Sequence, residues 1–527
     1  MRRNRTLVIS LILLISLLGF MTVVFATRWG IGASPDSMVY VGAARNLADQ
    51  RGFSLPSGDG SDSPLTHHAP LYSVLLSWAA LADIDPGLAA RWLNALLFGG
   101  NILLMGLYLG YLWRKFNIPS PWIPMAGALV IFSAPTLLEL HLMAWTEPLF
   151  LLLGMAGIFL LGEYIQRSER RYLIGSALLV GLAFFTRYAG IALVATCGLA
   201  ILLFSREPWR KRIMDITMFG LLSVAPMAVW MWRNLSLTGE ATSRELYFHP
   251  ISLSQVLQGF TTINSWVFVP DTAPTLVKGI VITSFVLGVG AIGYRRFWVM
   301  DKSGSESLKV NHQAVPIPVK IMSLFGAVYI GFLVVSISFY DANTPLDGRI
   351  LSPLYIAALL LGLFSLAIWL SYKPSVFAKT LIILVLVGFI GANSLRSAGM
   401  VIDAYKDGLG FNSVSWLSSE TLAEVRKLPE NTVIYSNAPE VITFHTLRRA
   451  FGLPKKFESA NQRENPAYQA ELADLKIQIL EKNGIVVYFQ ELKRPTVPSE
   501  QELFEVLPSG VQVQTSDGLI YHASSGN

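Results

Sequence analysis

The chain has 527 residues, of which 53% are hydrophobic and only 14% are charged, and its mean hydropathy is +0.49. A soluble protein carries about 25% charged residues, so this composition excludes a soluble globular protein and a disordered chain. The single cysteine, Cys197, excludes an internal disulfide, a cysteine-based zinc site and an iron–sulfur cluster. It lies in an apolar run and is expected to be a small buried hydrophobe. The composition therefore predicts a polytopic membrane protein.

Charge divides the chain into two parts. The last 128 residues hold 12 basic and 16 acidic residues, whereas the first 399 hold 29 basic and 19 acidic residues. We therefore expect a transmembrane domain at 1–398, a linker at 399–412 and a soluble α/β domain at 413–527. The formal charge of +6 is +10 on the membrane part and −4 on the tail.

About eleven apolar segments approach the roughly 20 residues that a membrane helix needs. They are Leu7–Ala26, Leu88–Trp113, Trp122–Leu138, Pro148–Ile165, Leu173–Thr186, Gly190–Phe204, Ile213–Trp232, Leu276–Tyr294, Ile321–Tyr340, Ile350–Leu370 and Thr380–Leu395. The fifth and sixth are short and read as a tight pair. The segment Pro70–Ala82 is too short to span and is expected to lie in the outer interface. The first segment is read as a retained anchor, because it is longer than a signal-peptide core and lacks a small-x-small cleavage pattern.

The distribution of basic residues sets the orientation of these helices. With the N-terminus in the cytoplasm, 19 of the 29 basic residues of the membrane part fall in cytoplasmic loops, as the positive-inside rule requires. A spanning Pro70–Ala82 would turn the later basic loops outward. We therefore predict a membrane protein with a cytoplasmic N-terminus, a long first outer loop, 27–87, and an extracytoplasmic C-terminal domain.

This topology gathers unusual ionisable residues on the outer face. Asp36 can act as a general base or bind a metal, or it can cap the helix that Ser-Pro-Asp-Ser begins. His67 and His68 could contact phosphate, although adjacent side chains diverge and do not favour a shared metal ion. Glu147 begins a membrane helix, where a carboxylate either complements the helix dipole or serves a site.

Three arginines lie at outer helix ends, Arg187, Arg233 and Arg349. Singly each could be a snorkelling interface anchor, but together they suit an anionic lipid-linked ligand, because arginine makes bidentate contacts with phosphate. The chain has no Walker-type phosphate loop and no signal for nucleic-acid binding. A non-enzymatic lipid or polysaccharide transporter with an outer receptor domain remains an alternative.

The tail has the pattern of a small α/β domain. Short apolar strands are expected at Thr432–Ser436 and Ile485–Phe489, and a hairpin is expected across Ser516-Asp517-Gly518. His445, near the start of a helix, is expected to be a packing or surface residue.

The outer motifs, in their order, resemble those of the GT-C membrane glycosyltransferases, in the branch of bacterial protein O-mannosyltransferases and lipid A aminoarabinose transferases. The resemblance covers roughly 6–397. It is carried by Pro35-Asp36, His68-Ala-Pro70-Leu-Tyr72, Thr146-Glu147-Pro148, Phe185-Thr186-Arg187, Trp232-Arg233-Asn234 and Asp347-Gly-Arg349. The sequence departs from protein mannosyltransferases, because Asp36 is followed by Ser37 rather than by a second acid. It also lacks the Trp-Trp-Asp-Tyr-Gly motif of oligosaccharyltransferases.

The resemblance implies a glycosyltransferase with a polyprenyl-phosphate-linked sugar donor and a hydroxyl acceptor in an envelope glycan, lipid or protein. It implies Asp36 as the general base and Glu147 as a second acidic site residue. It further implies that Arg187, Arg233 and Arg349 contact the lipid phosphate and that His67 or His68 contacts the sugar or phosphate. No metal ligand is assigned and no cofactor is certain, although a divalent metal remains open.

Overall fold

The computed structural model describes residues 2–56, 62–115, 122–242, 246–266, 277, 316–371, 375–457, 463–481, 483–492, 494–507 and 510–523. The described residues of the membrane part form helices, with one small hairpin in the loop that follows the first helix. In chain order its elements are α1 Arg2–Ala26, α2 Pro35–Ala48, β1 Ser54–Pro56, β2 Asp62–Pro64, α3 Leu71–Ala80, α4 Pro86–Lys115, α5 Ile123–Ser133, α6 Pro135–Leu142, α7 Glu147–Arg167, α8 Arg170–Thr186, α9 Ile191–Phe204, α10 Trp209–Thr238, α11 Leu253–Trp266, α12 Ile317–Phe339, α13 Ser352–Ser371 and α14 Val376–Asp407.

Six described helices, α1, α4, α7, α10, α12 and α14, are long and apolar enough to cross a membrane, and α5 with α6 makes seven if that bent pair is one span. The chain is therefore a helical membrane protein, as predicted. The predicted spans Leu173–Thr186, Gly190–Phe204 and Ile350–Leu370 form α8, α9 and α13, which are not among these six. The predicted span Leu276–Tyr294 lies outside the described residues, so the count of about eleven stays a prediction. The short segment Pro70–Ala82 forms the ten-residue α3.

The predicted span Trp122–Leu138 is bent. It breaks at Ala134 into α5 and α6, which meet at 56°. Pro135 explains the break, because a proline disfavours helical backbone angles at the residue before it, and Ala134 has extended angles. The hydroxyl of Ser397 on α14 donates to the Ser133 carbonyl at 2.9 Å and so satisfies a group near the bend.

Small residues let neighbouring helices approach closely. The Ser16 hydroxyl on α1 donates to the Gly99 carbonyl on α4 at 2.7 Å, and a Cβ at Gly99 would lie 3.0 Å from the Ser16 carbonyl oxygen. Helices α7 and α8 repeat the arrangement, with Ser176 donating to the Gly157 carbonyl at 2.8 Å. Such small-residue contacts and buried hydroxyl bonds are how helices associate inside a bilayer, where burial of apolar surface gives little driving force.

The tail contains a five-stranded mixed sheet with helices on both faces. Its elements are α15 Val414–Leu417, α16 Glu420–Lys427, β3 Ile434–Ser436, α17 Pro439–Thr446, β4 Phe451–Gly452, α18 Tyr468–Glu481, β5 Ile485–Phe489, α19 Glu500–Val506, β6 Gly510–Gln514 and β7 Gly518–Ala523. The strand order is β4-β3-β5-β7-β6, in which β3 pairs in parallel with β4 and β5 while β7 is antiparallel to β5 and β6. The predicted β6–β7 hairpin is confirmed.

The sheet rests on the first outer loop. Ile485, Val487 and Phe489 alternate with Val486 along β5, and their face packs with Ala33 and Met38 of that loop. Helix α14 continues to Asp407, nine residues into the segment predicted as a linker, and Ala404 in that extension is fully buried. The remaining linker residues run beside the loop, where the Phe411 amide donates to the Ala33 carbonyl at 2.8 Å.

Candidate active site

The site begins at the N-terminus of α2. Ser34 is the N-cap, and its hydroxyl accepts from the Ser37 amide at 3.4 Å. The alternative in which Asp36 caps this helix is therefore wrong. Asp36 lies in the first turn after Pro35, and its carboxylate turns toward Arg349, which stands before α13.

Two carboxylates and two guanidinium groups form one cluster. Arg349 Nη1 lies 2.6 Å from Asp36 Oδ2, and Arg349 Nε also donates to Glu147 Oε1. The same Glu147 oxygen pairs with Arg187 Nη1. Four residues from four separate segments of the chain therefore join in the order Asp36, Arg349, Glu147, Arg187.

Glu147 is the buried centre of this cluster. Its side chain is 2% exposed, whereas those of Arg187 and Arg349 are 18% and 20% exposed and that of Asp36 is 35% exposed. Arg187 Nη1 also donates to the Thr146 hydroxyl at 2.9 Å. Glu147 is the first residue of α7, where a negative charge complements the helix dipole, but two arginine contacts show that its role is larger than that.

Trp145, which the sequence analysis did not single out, supports the cluster from behind. The Arg349 guanidinium lies 4.6 Å from the centre of the Trp145 ring, and Trp145 Nε1 donates to the Ser34 hydroxyl at 2.8 Å. The tryptophan therefore fixes Arg349 relative to the start of α2. Its position two residues before Glu147 could have indicated a role in the site. A loop tryptophan at a membrane interface, however, ordinarily anchors the protein to the lipid headgroups.

A cavity of about 400 Å³ opens at the cluster. Asp36, Arg187 and Arg349 line it together with His67 and His68. The His68 ring meets the Tyr40 ring edge-on at 5.2 Å. Further polar lining comes from the loop before α13, with Asp341, Asn343 and Thr344. The cavity thus has the arginines and histidines that an anionic ligand needs and a carboxylate beside them.

The surroundings keep the Asp36 carboxyl ionised. Burial alone would raise its pKa, but the positive charge of Arg349, with smaller effects of His68 and Arg187, outweighs burial and holds the pKa below its usual range. Tyr40, one helical turn away, shows the opposite shift. Burial, with the nearby charge of Asp36, raises the pKa of Tyr40 to about 12, so its hydroxyl stays protonated at neutral pH.

Arg233 is engaged away from this cluster. Its guanidinium donates to the Leu65 and Phe53 carbonyls, both at 2.9 Å, and lies 4.5 Å from the centre of the Trp230 ring. Arg233 is not among the residues that line the cavity. It holds both ends of the β1–β2 hairpin instead.

The described residues contain no group of three or more His, Cys, Asp or Glu side chains arranged to hold a metal ion. The Asp83-Ile-Asp85 triplet forms a turn in which Asp85 pairs with Arg45 at 2.9 Å and accepts from the Gly87 amide at 2.8 Å. His445 Nε2 lies 2.7 Å from the Phe411 carbonyl oxygen.

Solved structures resemble the whole chain, although no protein-family profile and no curated protein sequence matches it. ArnT from Cupriavidus metallidurans in the apo state matches with a TM-score of 0.61 and 11% identity over 97% of both chains. The same enzyme bound to undecaprenyl phosphate matches with a TM-score of 0.58 and 12% identity over 97% of this chain and 98% of that one. An Archaeoglobus fulgidus oligosaccharyltransferase in complex with Zn and sulfate matches with a TM-score of 0.53 and 11% identity, over 97% of this chain and 73% of that one.

Identities this low establish the fold alone. The predicted GT-C fold is confirmed. The chain is an integral membrane protein with the GT-C fold and resembles ArnT along its whole length.

Proposed function

We propose that this protein is a glycosyltransferase that moves a sugar from a polyprenyl-phosphate-linked donor to a hydroxyl group on the outer face of the bacterial inner membrane. The acceptor belongs to an envelope glycan, a lipid or a protein. The observation that carries the proposal is the link Asp36–Arg349–Glu147–Arg187 at a cavity within a GT-C fold. The match to a relative bound to undecaprenyl phosphate supports the donor class.

The reaction needs a base for the acceptor and charge stabilisation for the leaving phosphate. Asp36, held ionised, takes the proton of the acceptor hydroxyl as its oxygen bonds to the anomeric carbon of the sugar. The bond from that carbon to the phosphate oxygen breaks, and the polyprenyl phosphate leaves with the electron pair. A base within hydrogen-bond reach contributes about 10²–10⁴-fold to such a step.

Arg349 couples the two halves of this reaction. In the structure Arg349 contacts Asp36. The phosphate of the donor would lie on the side of the cavity that Arg349 and Arg187 share. As the proton neutralises Asp36, the departing phosphate gains one negative charge, so the charge that faces Arg349 changes little during the reaction. Such fixed donors, aimed at the place where charge develops, stabilise a transition state without reorganising.

The test is Asp36→Asn in the purified full-length chain in nanodiscs, supplied with a panel of undecaprenyl-phosphate-linked hexoses and pentoses and an envelope extract as acceptor. We expect transfer to fall at least a hundredfold. Binding of undecaprenyl phosphate should persist, because asparagine can still accept from Arg349. Asp49→Asn is the matched control, since Asp49 stands just after the same helix and pairs with the exposed Arg51. Full transfer by Asp36→Asn would refute Asp36 as the base. Lipid-linked sugar that crosses the membrane without a new glycosidic bond would favour the transporter.

The orientation of the chain has its own test. With the N-terminus in the cytoplasm and the tail outside, a cysteine at Ser415 should react with an impermeant maleimide in intact cells. A cysteine at Ser168, between α7 and α8, should react only after permeabilisation. The native thiol, Cys197, is buried and gives little background. The reverse labelling pattern would invert the topology.

A further inference from the structure

A second cavity lies on another face of α2 from Asp36. Its volume is about 560 Å³, and it lies between the outer ends of α1 and α4, helix α2 and the tail. Arg28 and Trp29 follow α1, Arg91 belongs to α4, and Arg426 belongs to α16 of the tail. We call it the interface cavity. None of these four residues lines the cavity at Asp36.

The interface cavity is strongly positive. Four arginines line it, Arg28, Arg45, Arg91 and Arg426, against a single carboxylate, Asp85. That carboxylate is already used, because Arg45 donates two hydrogen bonds to it, at 2.9 and 3.0 Å. Within the part of the chain that the structure describes, no carboxylate forms an ion pair with Arg28, Arg91 or Arg426. Three guanidinium charges therefore face one space without a counter-charge.

The arginines are held in place by neutral groups. The Arg28 guanidinium lies 4.1 Å from the centre of the Tyr405 ring and 4.6 Å from that of Trp29. Arg91 donates to the Val24 carbonyl at 2.8 Å and to the Thr27 hydroxyl at 3.1 Å. Aromatic and carbonyl contacts orient these side chains but leave their charge uncompensated, which is the arrangement of an anion site rather than of an ion-pair network.

The cavity lies at the depth of lipid headgroups. Trp29 and Tyr405 stand at the outer ends of two membrane helices, and aromatic residues of this kind collect at the membrane–water interface. Below it, α1 presents Leu17, Met21 and Phe25, each about half exposed, on a surface that only acyl chains would cover. An anion in the interface cavity could therefore carry lipid chains that run down the outside of α1.

We propose that the interface cavity binds the phosphate of an anionic lipid from the outer leaflet, with Arg28, Arg91 and Arg426 as its ligands. Basic pockets between membrane helices recognise anionic headgroups in this way. The site goes beyond the sugar transfer and does not depend on it. It would join the tail, through Arg426, to the membrane, through the lipid.

The experiment measures retention of phosphatidylglycerol by the purified full-length chain in phosphatidylcholine nanodiscs that contain a photo-crosslinkable phosphatidylglycerol. Arg28→Gln and Arg426→Gln are made singly and together, because their own contacts are weaker than those of Arg91. Arg28 lies on the Tyr405 ring and Arg426 reaches the His445 carbonyl at 3.5 Å, whereas Arg91 makes two shorter hydrogen bonds to groups at the end of α1. Each loss should weaken retention about fivefold, and the double variant about 25-fold. Arg51→Gln is the matched control. It removes the same charge from the same side of the protein but outside the interface cavity, and should change retention less than twofold.

Three outcomes would overturn the proposal. The first is equal crosslinking in the native and double-variant chains. The second is crosslinking of a matched phosphatidylcholine probe to the same peptides, which would indicate ordinary boundary lipid. The third is complete competition by millimolar inorganic phosphate, which would indicate a site for free phosphate rather than for lipid. A failure here leaves the Asp36→Asn result unaffected, and the reverse also holds.

Discussion

Glu147→Gln gives the sharpest test of how the cluster handles a phosphate. Glu147 is the buried carboxylate that both Arg187 and Arg349 contact, and glutamine keeps its shape while removing its charge. A ligand phosphate on the outer side of these arginines would lie about 7 Å from the carboxylate, where two negative charges repel by about 2 kcal/mol at an effective dielectric constant of 20. Removing that repulsion should make undecaprenyl phosphate bind about 30-fold more tightly.

The same substitution should weaken the protein when no ligand is bound. It leaves two guanidinium groups, each about one-fifth exposed, without the buried charge between them. Breaking a largely buried ion pair in this way costs about 3 kcal/mol, the lower end of the range for fully buried pairs. Bound undecaprenyl phosphate should restore part of the lost stability, because its negative charge replaces that of Glu147 beside the two arginines. The increase in melting temperature on adding the lipid should therefore be larger for Glu147→Gln than for the native chain.

The assay is thermal unfolding and lipid binding of the full-length chain in nanodiscs, with and without undecaprenyl phosphate. Glu240→Gln, an exposed change with the same loss of charge, is the control and should alter neither quantity. Arg187→Gln should shift affinity in the opposite direction, to weaker binding. If Glu147→Gln binds undecaprenyl phosphate no more tightly than the native chain while Arg187→Gln binds it equally well, these arginines do not hold the phosphate.

Arg349→Gln should raise the pKa of Asp36, because it removes the main positive charge that opposes the effect of burial. The transfer rate that remains should therefore begin to fall at a higher pH than in the native chain, because protonation of Asp36 causes that fall. An unchanged pH profile on the acid side would contradict the assignment of Asp36 as the base. Gly190→Ala should cost at least about 1–3 kcal/mol and reduce transfer, since its Cβ would lie 2.3 Å from a backbone atom beside the turn that carries Arg187. Gly198→Ala meets nothing within 4 Å, and thermal unfolding should show it to be neutral. Arg233→Gln should destabilise the β1–β2 hairpin by about 1.5–3 kcal/mol and speed its proteolysis without changing undecaprenyl phosphate binding, and weaker binding would restore it as a phosphate ligand.

The sequence predicted helices well where the signal was local. Hydropathy and length located the described membrane helices to within about six residues, except that α14 continues twelve residues beyond its predicted end at Leu395. Strand β5 begins and ends where its apolar run does. Span number was harder, because α8 and α9 have only 17 and 14 residues and their role depends on neighbours rather than on their own length. The sequence Ala134-Pro135 could have indicated the bend. The apolar run on both sides of it instead favoured one continuous span.

The sequence predicted which charged residues lie close together but not which contacts they make with one another. The topology alone gathered Asp36, Glu147, Arg187 and Arg349 on one face, and the structure joins them. The sequence could not separate Arg233 from the arginines of the cluster. An arginine at a predicted helix end has the same sequence pattern whether its side chain faces a cavity or bonds to two backbone carbonyls. Likewise the N-cap depends on backbone angles at Ser34, which the Ser-Pro-Asp-Ser pattern leaves open between two residues.

The stretch just before α2 links the sheet of the tail to the helix that carries Asp36. Gly32 bridges Met143, two residues before Trp145, while its neighbour Ala33 bridges Gly410 at the entrance to the tail. A side chain at Gly410 would strike the Ala33 carbonyl, and Gly410 has a left-handed φ of 56°, so only glycine permits this contact. Gly32 and Ala33 thus connect the membrane helices to the start of the tail, and Ala33 lies three residues before Asp36. Any shift of the sheet relative to the helices would therefore displace backbone that lies only three residues from Asp36.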